Sequence, residues 1–233
     1  MLKDIKHTLL AGYYRHFAGF MMSSRNFTKI YCSLFVLTLI IKAILTLSGS
    51  EIYYHKFLIN TYQSLDVDVA KYHPWTLFTF NFLVLSLGDV VFWGSILYTF
   101  GQLLDHFYGP GRFFLIYVSS SFFVALALLI ASNKINLSIE YLSGPYISIS
   151  SLIGSMGYFA PNYGLRYFIF GEVKLKYVCI FFLCYSIYLY SFDRMESLMI
   201  ISGLAYGYCY MFLLSKGYDI SRPFRYVFDK LRR

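Results

Sequence analysis

Six stretches of this chain are apolar for long enough to approach the thickness of a bilayer, and few folds tolerate that. They lie near residues 30–47, 87–104, 113–131, 144–160, 177–190 and 198–214, against the about 20 residues that a helix rising 1.5 Å per residue needs to cross a hydrocarbon core. Backbone in lipid has to satisfy its own N–H and C=O groups, so segments of this length are expected to cross as helices. With 58% apolar, 21% aromatic and only 14% charged residues, the composition also departs from that of a soluble domain. The expectation is an all-α membrane protein, a bundle of six transmembrane helices. The fourth stretch is small and semi-polar, with Gly144, Ser148, Ser150, Ser151, Gly154, Ser155 and Gly157. That suits a helix packed inside the bundle rather than one facing lipid.

Charge gives an orientation. Six spans put both termini on one side, and fifteen of the twenty Lys and Arg fall there: Lys3, Lys6, Arg15, Arg25 and Lys29 before span 1, Arg112 after span 2, Arg166, Lys174 and Lys176 after span 4, and six more from Lys216 onward. The opposite side has Lys56, Lys71, Lys134 and Arg194, while Lys42 lies within span 1. Positive-inside bias therefore points both termini to the cytoplasm. The net charge of +8 then reads as a topology signal and an attraction to anionic membrane lipid, with no call for nucleic acid.

Residues 1–29 are basic and aromatic and lack the layout of a signal peptide, so they are expected to stay with the chain. They read either as an amphipathic helix in the interface or as a loosely ordered basic leader. The connection over about 48–86 is rich in Tyr, Phe and Trp, which suits a segment half-sunk among headgroups. Three parts follow: 1–29 as an N-terminal segment, 30–214 as one membrane domain, and 215–233 as a basic tail. Cys32, Cys179, Cys184 and Cys209 all fall within spans without metal-ligand spacing, so neither a metal nor a cofactor is expected.

Several stretches have a recognisable order: His73-Pro74-Trp75-Thr76 before Phe82-Leu83; Phe100-Gly101, Asp105 and Gly109-Pro110-Gly111-Arg112-Phe113; Ala160-Pro161-Asn162-Tyr163 and Gly171-Glu172-Val173-Lys174-Leu175-Lys176-Tyr177; Gly203-Leu204-Ala205-Tyr206-Gly207 and Lys216-Gly217-Tyr218-Asp219. Together they resemble the rhomboid family, in particular the six-span bacterial type found in Bacteroidota, over roughly residues 25–228. The resemblance implies a multi-pass protein of the bacterial inner membrane with a rhomboid-like bundle. Rhomboids cleave transmembrane substrates with a Ser–His dyad, and the resemblance places Tyr146 at the serine and Ile200 at the histidine. It places Val84 and Trp93 at the oxyanion-side histidine and asparagine, and Asp89 at a further histidine. A catalytically inactive pseudoprotease is implied, acting as an adaptor or subunit that binds transmembrane partners in an envelope complex. Gly101, Asp105, Gly203 and Gly207 are implied to be structural.

One point needs no alignment. The histidines are His7, His16, His55, His73 and His106, so nothing after residue 106 supplies an imidazole to activate a hydroxyl on span 6. Two other readings stay open. Lys42 with Ser148, Ser150, Ser151 or Ser155 would form a Ser–Lys protease, although such a lysine commonly snorkels to the interface. Asp89 near the outer mouth of span 2 would serve a small-molecule or ion pathway if polar groups converged on it in a wet cavity. Bulky Tyr146 and Trp93 are expected instead to fill the pocket, and Gly203-X3-Gly207 to seat span 6 on small residues around Gly154 and Gly157.

Overall fold

The computed structural model describes residues 23–48, 75, 79–82, 87–135, 145–167 and 171–219. The leader over 1–22, most of the aromatic connection, Val84, Gly144 and the tail from 220 lie outside the described residues. Among the described residues, six α-helices follow one another as α1 (Ser24–Leu47), α2 (Leu87–Tyr108), α3 (Pro110–Ile135), α4 (Tyr146–Phe159), α5 (Leu175–Leu189) and α6 (Arg194–Ser215). A 3-10 turn, Phe80–Phe82, precedes α2, and a hairpin of β1 (Gly164–Tyr167) and β2 (Gly171–Lys174) joins α4 to α5.

Local chemistry sets several boundaries. Gly109 has φ +82 and its N–H donates to the Asp105 carbonyl at 2.9 Å, a left-handed stop that glycine makes without a Cβ penalty. Pro110 then opens α3, where its missing N–H costs nothing. Asp193 caps α6 by accepting from the Met195 and Glu196 N–H groups at 2.9 and 3.0 Å. At its far end Gly217, with φ +88, places its own N–H and that of Tyr218 on the Leu214 and Leu213 carbonyls, each at 3.0 Å.

Every residue from Ile147 to Met156 is buried, and α4 is touched by α2, α3, α5, α6 and the 3-10 turn. Its place at the centre follows from its small side chains. A Cβ at Gly207 would overlap the Ser151 carbonyl and stand 2.9 Å from its Cα; one at Gly203 would come within 2.9 Å of Ser150 Cβ; one at Gly154 would come within 3.0 Å of Leu204 Cα. Only hydrogen fits between these backbones. Gly157 departs from expectation: its missing Cβ makes room for the Cys179 thiol of α5, not for α6. The Cys179 Sγ donates to the Ile153 carbonyl at 3.4 Å.

The outside of the bundle is apolar. Ile40 and Ile44 on α1, Val91 on α2, Phe181 and Ile187 on α5, and Phe212 on α6 are all exposed, a greasier surface than a soluble monomer shows. Among the described residues, two helices are long and apolar enough to cross a membrane, with spans at 111–128 and at Arg194–Ser215, and Leu175–Leu189 is apolar but shorter. Among the described residues the structure thus has six helices, of which two have the length and composition to cross a membrane. The strands of the hairpin, four residues each, are too short for alternation to mark them in the sequence.

Gly207→Ala is expected to destabilise the detergent-solubilised protein by about 1–3 kcal/mol through overpacking. Gly94→Ala, whose Cβ would find only Cys32 Sγ at 4.0 Å, should stay within about 0.5 kcal/mol. Thermal melts followed by circular dichroism decide the matter, and equal melts would contradict the close approach.

Candidate functional site

At the end of the bundle where α2, α4 and α6 begin, the residues singled out by sequence come together. Trp93 is 2% exposed and meets the Tyr146 ring edge-to-face at 5.1 Å. Phe182 of α5 lies 5.9 Å from Trp93, and Phe92 sits beside Trp93 at 5.2 Å. Ile200 is fully buried in the same cluster. Edge-to-face pairs of this kind add about 0.5–1.5 kcal/mol beyond their buried area. Asp89 is half-buried at the start of α2, within electrostatic reach of Glu196 in the first turn of α6. Sequence reading did not bring Glu196 into this group. Lys42 lies on α1, its side chain outside the described residues.

Each serine of α4 has its hydroxyl committed. Ser150 donates to the Tyr146 carbonyl at 2.5 Å, Ser151 to the Ser148 carbonyl at 2.7 Å, and Ser155 to the Ser151 carbonyl at 2.7 Å. Ser148 donates to the Tyr117 carbonyl at 2.9 Å and to Asn81 Oδ1 at 3.1 Å. Asn81, on the 3-10 turn, donates in turn to Ser121 Oγ, and Ser151 reaches Ser120 Oγ at 2.9 Å. Among the described residues, no histidine, lysine or carboxylate stands at hydrogen-bond distance from these hydroxyls. The network instead ties α3, α4 and the segment before α2 together, which satisfies polar groups that would be costly to bury alone. Asn81 was not anticipated; on α3 its partner is Ser121, beside the Ser120 that meets Ser151 of α4.

At the opposite end Asp105 holds α1 to α2. Its Oδ2 accepts from the Ser24 N–H at 2.8 Å, placing a carboxylate on the N-terminus of α1, where the helix dipole favours it. Gly101 makes room for this contact, since a Cβ there would press within 2.9 Å of Ser24 Cβ and 3.0 Å of Phe113. Arg112 pairs with Asp219 at 3.5 Å and stacks over the Tyr108 ring at 5.0 Å. Between α2 and α5 runs an apolar groove of about 1040 Å³, lined among others by Gly88, Val91, Ser95, Tyr177 and Phe181. No cluster of His, Cys, Asp and Glu fit for a metal exists among the described residues.

An apolar exterior around a serine- and glycine-packed helical core defines an integral membrane protein. The chain belongs to a family described as Eukaryotic integral membrane protein (DUF1751), whose model matches residues 29–226. No curated protein matches it significantly. The family corrects two expectations: the assignment to bacterial, Bacteroidota-type rhomboids, and the bacterial inner membrane that came with it. The physical reason lies in what the quoted motifs do. Gly101 and Asp105 seat α1, and Gly203 and Gly207 let α6 touch α4, so such spacings report helix packing and not descent from a bacterial lineage.

Trp93→Ala should lower stability by about 3–5 kcal/mol by opening a cavity among the rings, read as a shift in the unfolding midpoint; an unshifted midpoint would contradict the filled centre. Asp105→Ala should cost about 1 kcal/mol by uncapping α1, with faster hydrogen exchange at the first turn of α1 as its local signature.

Proposed function

We propose that this chain is a non-catalytic membrane adaptor, its six helices crossing the bilayer, that holds a transmembrane segment of a partner protein against α2 and α5. The observation that carries the reading is the groove between these helices. α5 packs on α4 and α6 and reaches α2 through Phe182, against Phe92 and Trp93, leaving the space of about 1040 Å³ beside them. Gly88 and Ser95, both lining the groove, are two helical turns apart on one face of α2. Paired small residues of this kind let a second helix approach closely in lipid. Ser95 donates its hydroxyl to the Val91 carbonyl at 2.5 Å, so it presents little polarity to an apolar partner.

Against catalysis stand the absence of any histidine beyond residue 106 and the engagement of every α4 serine hydroxyl with backbone carbonyls. A nucleophilic serine requires an adjacent base, and the rings of Trp93 and Tyr146 occupy the space where one would work. The same rings weigh against an ion pathway through Asp89. No cofactor, metal or nucleic acid is part of the reading.

A photo-crosslinking residue placed at Val91 or Phe181 in native membranes should capture a discrete protein partner, and the same probe at Tyr208 on α6 should not. Ser95→Trp, which fills the groove, should abolish the capture. Crosslinks to lipid alone from Val91 and Phe181 would overturn the adaptor reading, as would labelling of the chain by a fluorophosphonate.

A further inference from the structure

A second cavity, of about 710 Å³, opens at the other end of the bundle and combines Arg25, Gln102, Asp105, His106, Tyr98 and Tyr163 around the start of α1. Its volume lies within the about 300–1,000 Å³ typical of small-molecule sites. This is the end on which Arg112, Lys174, Lys176 and Lys216 also lie, where α2, α4 and α6 finish and α3 and α5 begin. In a membrane it stands at headgroup depth, where cationic side chains meet anionic phosphate.

The lining carries both signs of charge. Arg25 and His106 are exposed and offer N–H donors to a phosphate, to which Gln102 and the phenols add neutral donors. Asp105 brings the opposite demand. It is half-buried in the lining, its Oδ2 takes the Ser24 N–H, and among the described residues no cation forms a salt bridge with its charge. Beside it, Tyr98 and Tyr163 are 45% and 42% exposed, ring faces suited to an ammonium group.

A phosphomonoester would bring further negative charge beside Asp105 and no cation to meet it. A choline headgroup has no N–H to donate, and a serine headgroup brings a second carboxylate towards Asp105. An ethanolamine headgroup supplies both halves, a phosphodiester for Arg25 and His106 and a primary ammonium for Asp105 and the two tyrosines. We infer that this cavity is a binding site for the phosphoethanolamine headgroup of an aminophospholipid, anchored on Arg25 and His106. The inference is independent of the adaptor reading, since the groove and this cavity lie at different ends of α2.

The test offers the full-length protein, in mild detergent, an equimolar mixture of phosphatidylethanolamine, phosphatidylcholine, phosphatidylserine and phosphatidic acid with matched acyl chains. Native mass spectrometry then counts the retained lipid. Phosphatidylethanolamine should be retained about fivefold over each of the others, roughly 1 kcal/mol of discrimination. Arg25→Ala and His106→Ala, both at exposed positions, should each lower that retention about tenfold, the loss of one charge-assisted contact, with helicity unchanged. Equal retention of the four lipids, or retention indifferent to both substitutions, would overturn the assignment. A separate arm adds soluble phosphoethanolamine in excess: displacement of the retained lipid supports a headgroup site. Binding of the soluble compound with no lipid retained would make the ligand a free phosphoamine and overturn the lipid.

Discussion

The bundle depends on the contact between α4 and α6, made by backbone rather than by side chains. Gly154, Gly203 and Gly207 remove the Cβ atoms that would hold the two helices apart, and Ser155 adds a bond to the Gly207 carbonyl at 3.3 Å. In lipid no hydrophobic force drives helices together, so close van der Waals approach and interhelical hydrogen bonds do that work. Once α6 lies on α4, the other neighbours of α4 have fixed sites. Cys179 enters the notch at Gly157, and Ser197 donates to the Ser186 carbonyl at 2.7 Å, which joins the end of α5 to the start of α6. The short α4 thereby becomes the axis of the molecule.

Burying so many serines along that axis raises the question of their protons, and their partners bear on function. Each serine hydroxyl closes onto a carbonyl or onto the Asn81–Ser121 pair, an arrangement that rigidifies a core. The aromatic plug of Trp93, Tyr146 and Phe182 completes the same logic at the mouth. The parts that remain open are peripheral: the groove beside α5 and the charged cavity beside α1. One is apolar, between α2 and α5, and the other polar and charged, at the opposite end of α2.

Much of this was legible in the sequence because the bilayer writes strongly. The apolar runs located six helices, and Gly203 and Gly207 marked the seam between α4 and α6 because only glycine permits it. Tyr146 with Trp93 was legible as a filled pocket because large rings have to go somewhere. Asn81 was hidden by its surroundings, an aromatic stretch that read as interfacial and gave no hint of a buried amide. The hairpin was hidden by its four-residue strands, too short for alternation to register. The headgroup cavity was hidden because Arg25, the α2 stretch from Tyr98 to His106, and Tyr163 are far apart in the chain. The kinship was misread because glycine and acid spacings are common solutions to helix packing.

A dry, filled centre is the claim on which the non-catalytic account stands, because hydrolysis requires water beside its nucleophile. The direct measurement is the reactivity of Ser150→Cys towards a membrane-permeant thiol reagent in native membranes. Ser150 is fully buried, so the account predicts that the introduced thiol reacts only when the protein is unfolded, at a rate independent of reagent access from either side. Rapid modification of the folded protein would place water in the centre and contradict it.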